Sequence, residues 1–168
     1  MFTISKLFWL FIILLAVWNL FRIIEKRQAL KDRNDDYSSA IKTLINESNL
    51  EVNVFIYGEC EDISHILNQC EIGIIASNFE GLPLALLEYG ESKLAIISSN
   101  VGECADVIGS EENGIIIPSN NLDAMTEALH KMITDDLFRR KSAVNFNKRI
   151  LTMYSKDKVI SQLIGFYI

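Results

Sequence analysis

The sequence predicts an α/β fold, a parallel sheet flanked by helices and preceded by a separate apolar amino-terminal helix. Three observations lead there. Short β-branched runs at residues 52–57, 73–76, 94–97 and 114–117 have strand length. Each is followed by residues with helical signals, and a helix between successive strands implies parallel pairing through right-handed crossovers. At 168 residues and 49% hydrophobic content, the chain is long enough for one domain to bury a real core. We therefore expect residues 1–34 to be a separate segment and residues 35–168 to be one compact domain.

Taken in order, Asp35, Asp36, Ser38 and Ser39 offer N-caps to an amphipathic helix. In it Ile41, Leu44 and Ile45 recur at helical spacing until residues 46–49 end the pattern. Residues 52–57 read as the first strand, stopped by Gly58. After an acidic loop at 59–62, Ile63, Ile66 and Leu67 fit a short helix. Residues 73–76 form the next strand, and Ser77 opens a loop. Pro83 suits the first position of a helix running through Glu88 to Tyr89. Residues 94–97 are a third strand, followed by a short helix near 103–108. After the turn pair Asn113-Gly114, residues 114–117 are a fourth strand closed by Pro118. Asn121 caps a helix whose Leu122, Met125, Leu129 and Met132 share a core face. The remainder is mostly helical, with Arg139-Arg140-Lys141 as a solvated face.

The amino-terminal segment is distinct. Residues 7–18 are unbroken apolar, and the run reaches Ile24 with Asn19 and Arg22 inside it. As a helix, residues 7–24 span roughly 27 Å, marginal for a bilayer. Lys6 precedes the run, whereas Arg22, Lys26, Arg27, Lys31 and Arg33 follow it. The positive-inside rule then places the body in the cytoplasm, attached to the inner face of the cell membrane by residues 7–24. A cleaved signal peptide fits poorly, because the basic cluster follows the apolar run. A second reading stays open, in which Leu20, Phe21, Ile23 and Ile24 belong to a domain helix and the preceding residues form a leader.

Net charge is −6, and residues 35–168 carry ten basic and twenty acidic side chains, which argues against a nucleic-acid partner. Cys60, Cys70 and Cys104 form no C-x-x-C pair and are expected as reduced thiols. With only His65 and His130 to join them, no metal is expected, and no cofactor is implied.

The chemistry concentrates in Ser77-Asn78-Phe79-Glu80-Gly81-Leu82-Pro83-Leu84-Ala85-Leu86-Leu87-Glu88. Glu80 and Glu88 frame a turn of small and apolar residues in which Gly81 permits unusual backbone angles. Amide groups at the helix start can meet an anion or a hydroxylated ligand. In parallel α/β sheets ligands sit at the carboxyl ends of strands, where this loop falls. The plain alternative is an ordinary strand-to-helix connection with two unrelated surface acids. The full constellation favours a ligand site.

This order of pieces resembles the carboxyl-terminal, donor-binding half of family 4 glycosyltransferases, retaining enzymes of two-domain GT-B architecture. The likeness runs from about residue 37 to 151. Its most specific part is Glu80-Gly81-Leu82-Pro83 through Glu88, similar to the family's E-x7-E motif. Weaker matches are Val54-Phe55-Ile56-Tyr57-Gly58, Ile96-Ile97-Ser98-Ser99-Asn100-Val101-Gly102 and Asn113-Gly114-Ile115-Ile116-Ile117-Pro118. The resemblance implies a Rossmann-like domain that binds a UDP- or GDP-sugar for transfer to a polysaccharide or glycolipid. In it Glu80 would face the transferred sugar as the catalytic carboxylate, and Glu88 would accept hydrogen bonds from the ribose hydroxyls. Gly81, Leu82 and Pro83 would bring backbone close to the sugar and diphosphate, and the loop at 58–62 would hold the base. Glu103 reads instead as an acid complementing a helix dipole.

Two parts of the family pattern have no counterpart here. Where a first strand and glycine-rich turn would precede residue 37, residues 25–34 read as a charged helix or linker, and the basic residues expected against the diphosphate are missing. The chain also has no room for an amino-terminal acceptor domain, so a truncated donor domain working with a separate acceptor-domain chain is expected. The competing expectation is a non-catalytic remnant or a membrane-attached interaction domain. A doubly wound phosphate-binding signalling domain shares the sheet but leaves the Glu80 to Glu88 segment unexplained.

Overall fold

The computed structural model describes residues 36–57, 60–155, 158–160 and 164. The apolar run at 7–24, its expected membrane attachment and the boundary at 34/35 lie outside the described residues. Among the described residues no helix is long and apolar enough to cross a membrane. The chain divides into two compact units, Met1–Ile66 and Leu67–Ile168.

In the first unit, α1 (Asp36–Glu47) forms where the periodicity placed it, and Leu50 is buried behind it. The run at 52–57, expected as a strand, is not one. The amides of Asn53 and Val54 both donate to the Leu50 carbonyl at 2.9 Å, so a turn takes the start of the run. Val52, Phe55 and Ile56 are exposed, so a β-prone sequence lies here without the burial that stabilises strands. α2 (Ile63–Leu67) follows, its first turn capped by Asp62, whose Oδ1 accepts from the His65 amide at 3.0 Å.

The second unit holds a three-stranded sheet. β1 (Ile72–Ile75), β2 (Ala95–Ser99) and β3 (Gly114–Ile117) lie in the order β1-β2-β3, all parallel. Ile72 stands opposite Ala95, and Ile96 opposite Gly114. Every residue of the central strand β2 is buried. That is why it reads as a continuous run rather than an alternation, the pattern of a parallel strand covered on both faces.

α3 (Leu84–Glu91), α4 (Cys104–Ile108), α5 (Leu122–Thr134) and α6 (Asp136–Met153) complete this unit. Phe146 and Ile150 of α6 and Leu86 of α3 are almost wholly enclosed. Each such side chain contributes about 1.5–3 kcal/mol relative to leaving it in water. α5 begins at the expected cap, Asn121 Oδ1 accepting from the Ala124 amide at 2.9 Å. Its apolar face is narrower than the pattern suggests: Met132 is fully buried, Met125 and Leu129 are half-buried, and Leu122 is exposed.

The basic cluster on α6 is only partly a solvated face. Arg140 and Lys141 are exposed, but Arg139 is buried. Its Nε lies 2.9 Å from Glu71 Oε2, and its Nη1 donates to the Met132 carbonyl at 2.9 Å. The guanidinium satisfies backbone at the end of α5 and an acid at the start of β1, which five fixed donors do well.

Candidate functional site

The carboxyl ends of the three parallel strands feed three loops, at 76–83, 100–103 and 118–121, and a set of hydrogen bonds binds them into one rim. Asn100 N donates to the Ile117 carbonyl at 2.7 Å, joining the second loop to β3. Ser99 Oγ donates to the Ser77 carbonyl at 2.6 Å, joining β2 to the first loop. Ser119 Oγ donates to Asn78 Oδ1 at 3.1 Å, joining the third loop to the first. Glu103 N donates to the Gly81 carbonyl at 3.3 Å.

Within this rim the Glu80 side chain is folded inward, 8% exposed, and Ser77 Oγ donates to its Oε1 at 2.6 Å. A hydroxyl donor at that distance fixes the orientation of the carboxyl group. Pro83 is buried, whereas Phe79, Gly81 and Leu82 are exposed. This turn of small and apolar residues is thus an exposed crest with one acid tucked beneath it.

Gly81 also departs from expectation. It does not take a positive φ, and a Cβ placed there would meet nothing within 4 Å. The glycine that the rim demands is Gly102, at φ +51°, where a Cβ would stand 2.0 Å from the Glu80 carbonyl oxygen and 2.9 Å from that of Gly81. Left-handed backbone and direct backbone-on-backbone packing coincide there, a combination only glycine meets. Open space over Gly81 and close packing under it leave the upper side of this backbone free for a ligand.

Pro83 is the N-cap of α3 rather than its first residue, and no side chain caps that end. Glu88 sits in the second turn, half-buried. Beside it, Tyr89 lies against Gly73 of β1, where a Cβ would be 2.5 Å from the ring. Burial, then the neighbouring Glu88 and Cys70, push the Tyr89 hydroxyl up to about 12, so it keeps its proton throughout the neutral range. The structure therefore gathers Glu80, Gly81, Leu82 and Pro83 in one loop and presents Glu88 from the helix that this loop starts.

Lys93 is excluded from the rim, because it follows the far end of α3, about 12 Å of helix away from Pro83. Gly58 and Glu59, from the loop expected to hold a base, lie outside the described residues. Glu103 occupies the N-cap position of α4, without a side-chain cap bond. Among the described residues no cluster of three His, Cys, Asp or Glu side chains is placed to hold a metal ion. Ser77, Ser99, Gly102 and the Asn78–Ser119 pair carry the rim without having been singled out for those roles by sequence. Their readable signal is a serine just beyond each apolar run.

Comparison with known proteins fits this geometry. A galactosyltransferase of Escherichia coli, UDP-Gal:alpha-D-GlcNAc-diphosphoundecaprenol alpha-1,3-galactosyltransferase, is 28% identical over 122 residues, covering 73% of this chain and 31% of that protein. A poly(ribitol-phosphate) alpha-N-acetylglucosaminyltransferase of Staphylococcus aureus is 22% identical over 128 residues, covering 76% of this chain and 26% of that protein. The chain thus spans about a third or less of the length of these curated relatives. Among solved structures, HepE of Anabaena in complex with UDP superposes with a TM-score of 0.74 at 16% identity, over 79% of this chain and 36% of that one. The C-terminal domain of the group 1 glycosyl transferase LpcC from Francisella tularensis gives 0.68 at 25% identity, over 75% and 66%. The profile of the family described as Glycosyl transferases group 1 matches residues 30–150, most of the chain, and the chain belongs to that family.

Proposed function

We propose that the second unit is the donor side of a retaining glycosyltransferase, binding a nucleotide-sugar over the 77–83 loop for transfer to a polysaccharide or glycolipid. The observation that carries this reading is the pairing of an inward, serine-held Glu80 with Glu88 on the helix that the same loop begins. Glu88 would accept the two ribose hydroxyls, and Glu80, turned out of its hydrogen bond with Ser77 when the donor arrives, would face the sugar as the catalytic carboxylate. The exposed backbone of Gly81 and Leu82, with Pro83 setting the helix start, would pass beneath the diphosphate. Supporting it, the family relatives are named as sugar transferases acting on diphosphoundecaprenol-linked and poly(ribitol-phosphate) acceptors, and HepE is described with UDP bound.

Catalysis needs more than this unit supplies. Between Lys42 and Lys131 the only Lys or Arg is Lys93, at the wrong end of α3. A leaving diphosphate requires fixed positive charge or aligned donors, ordinarily a large share of the rate enhancement. We infer that transfer also requires an acceptor-binding domain, which completes the charge around the diphosphate.

Calorimetric titration of the full chain with UDP, GDP and their sugar conjugates tests the reading. Wild type is expected to bind one nucleotide class, and Glu88→Ala to weaken it at least tenfold, since hydrogen bonds to a charged group are worth about 1.5–3 kcal/mol. Equal affinity in the variant sinks the ribose assignment. Absence of binding by folded protein shifts the balance to the non-catalytic reading.

A further inference from the structure

α3 and α4 both start at the rim, and both end against α6. The last carbonyls of a helix have no partner within it, so groups from outside must satisfy them. At the end of α3, Asn147 Nδ2 donates to the Gly90 carbonyl at 2.7 Å. At the end of α4, Arg149 Nη2 and Nε donate to the Asp106 and Val107 carbonyls at 2.7 and 2.8 Å. Gly109 N and Asn113 Nδ2 take the Ala105 and Ile108 carbonyls at 2.7 and 2.6 Å. The end of α4 is therefore fully partnered, half of it by one guanidinium whose charge also suits that end of the helix dipole.

Asn147 and Arg149 stand two residues apart, about 200° around the helix, on either side of the buried Phe146 and Ile150. One flank of α6 thus holds α3 and the other holds α4. The approach is close on both sides. A Cβ on Gly90 would collide with Ile150, and one on Gly109 with the Arg149 guanidinium.

These bonds fix the two helices along their axes. α4 has five residues, too short to stand as a helix without outside support. Its rim end is about 7 Å from the Arg149 bonds at 1.5 Å per residue. There Glu103 N donates to the Gly81 carbonyl, and Gly102 packs on the Glu80 backbone. α3 carries Glu88 two residues before Gly90, the residue that Asn147 holds.

We propose that Arg149 and Asn147 are positioning residues of the donor site, Arg149 setting the 80–82 backbone through α4 and Asn147 setting Glu88 through α3. The inference rests on the donor-site reading above. Each residue acts from the end of its helix opposite the rim, and small misplacements passed on in this way are costly because binding and chemistry depend on geometry. The plain alternative is that both side chains only stabilise the fold.

The test compares Arg149→Met and Asn147→Leu with Asn145→Ala in the full chain. Asn145 is on the same helix but donates to the Glu112 carbonyl at 3.2 Å, in a loop rather than on a helix that starts at the rim. It therefore reports what losing one bond from α6 does by itself. Without nucleotide, amide hydrogen exchange followed by NMR should be about tenfold faster at Glu103 in Arg149→Met, relative to Ile96 and Ile97 of buried β2, which report global opening. Asn145→Ala should leave that ratio unchanged. Calorimetric titration with UDP and GDP should show the nucleotide that wild type binds held about tenfold more weakly by Arg149→Met and by Asn147→Leu, but not by Asn145→Ala. Arg149→Lys, which keeps the charge and a donor, should recover part of the loss, and it carries the same comparison should Arg149→Met not fold. An unchanged exchange ratio at Glu103, or affinities in both variants equal to that of Asn145→Ala, overturns the proposal. Wild type that binds neither nucleotide overturns the donor reading instead, and the exchange ratio still decides whether Arg149 holds the 80–82 backbone.

Discussion

Gly102→Ala is the sharpest test of how the rim is held. A methyl there stands 2.0 Å from the Glu80 carbonyl oxygen and 2.7 Å from its carbon, both backbone atoms that no rotamer change can withdraw. Either the 80–81 backbone moves by about 1 Å or residue 102 abandons φ +51° and the Glu103 to Gly81 hydrogen bond with it. Left-handed backbone costs a non-glycine residue about 1–2 kcal/mol, and overpacking against a fixed neighbour adds about 1–3 kcal/mol. Taking about 3 kcal/mol in all, a chain of this size should melt about 6–12 °C lower. Thermal unfolding followed by circular dichroism reads this directly. Donor binding should suffer as well, because the displaced atoms are the ones beneath the proposed ligand. A Gly102→Ala protein that melts within 2 °C of wild type would show that the loops do not pack as described.

Three further expectations concern neighbouring groups. Gly81→Ala should leave the melting temperature unchanged, since its Cβ meets nothing, but should weaken nucleotide-sugar affinity if a ligand rests on that backbone, as calorimetry would show. Tyr89→Phe should flatten part of the alkaline stability profile. The hydroxyl is raised from 10.0 to about 12 in the fold, so the unfolded chain releases its proton first and stability falls between these values. Chemical unfolding at pH 9 and above should show wild type losing about 2–3 kcal/mol more than the variant across this window. Arg139→Met should destabilise by about 1–3 kcal/mol, because the Met132 carbonyl loses its donor and Glu71 its partner. Urea titration measures it, and a shift below about 0.5 kcal/mol would mean the guanidinium is dispensable.

Much of the fold was legible because its signals are local. Strand β3 runs over the predicted residues 114–117, and α4 and α5 start within a residue of expectation. Apolar run length, an Asn cap and a proline after a strand are properties of a few neighbouring residues, and they survive whatever the rest of the chain does. The acidic motif was legible for the same reason: Glu80 and Glu88 lie on one loop and the helix it begins.

What the sequence could not decide depends on residues far apart in the chain. Residues 52–57 have strand composition, but a strand exists only where another strand pairs with it, and a local turn at Leu50 claims the amides instead. Arg139 looks like its solvated neighbours because its partner Glu71 is 68 positions away. Sequence alone put the special glycine at Gly81, beside the acid. Tertiary structure put it at Gly102, where two loops cross backbone to backbone. Sequence thus determined the elements from α2 onward and which carboxylates frame the loop. Only the packed sheet decided how that loop is held, because its restraints come from the ends of strands that are distant in sequence and adjacent in space.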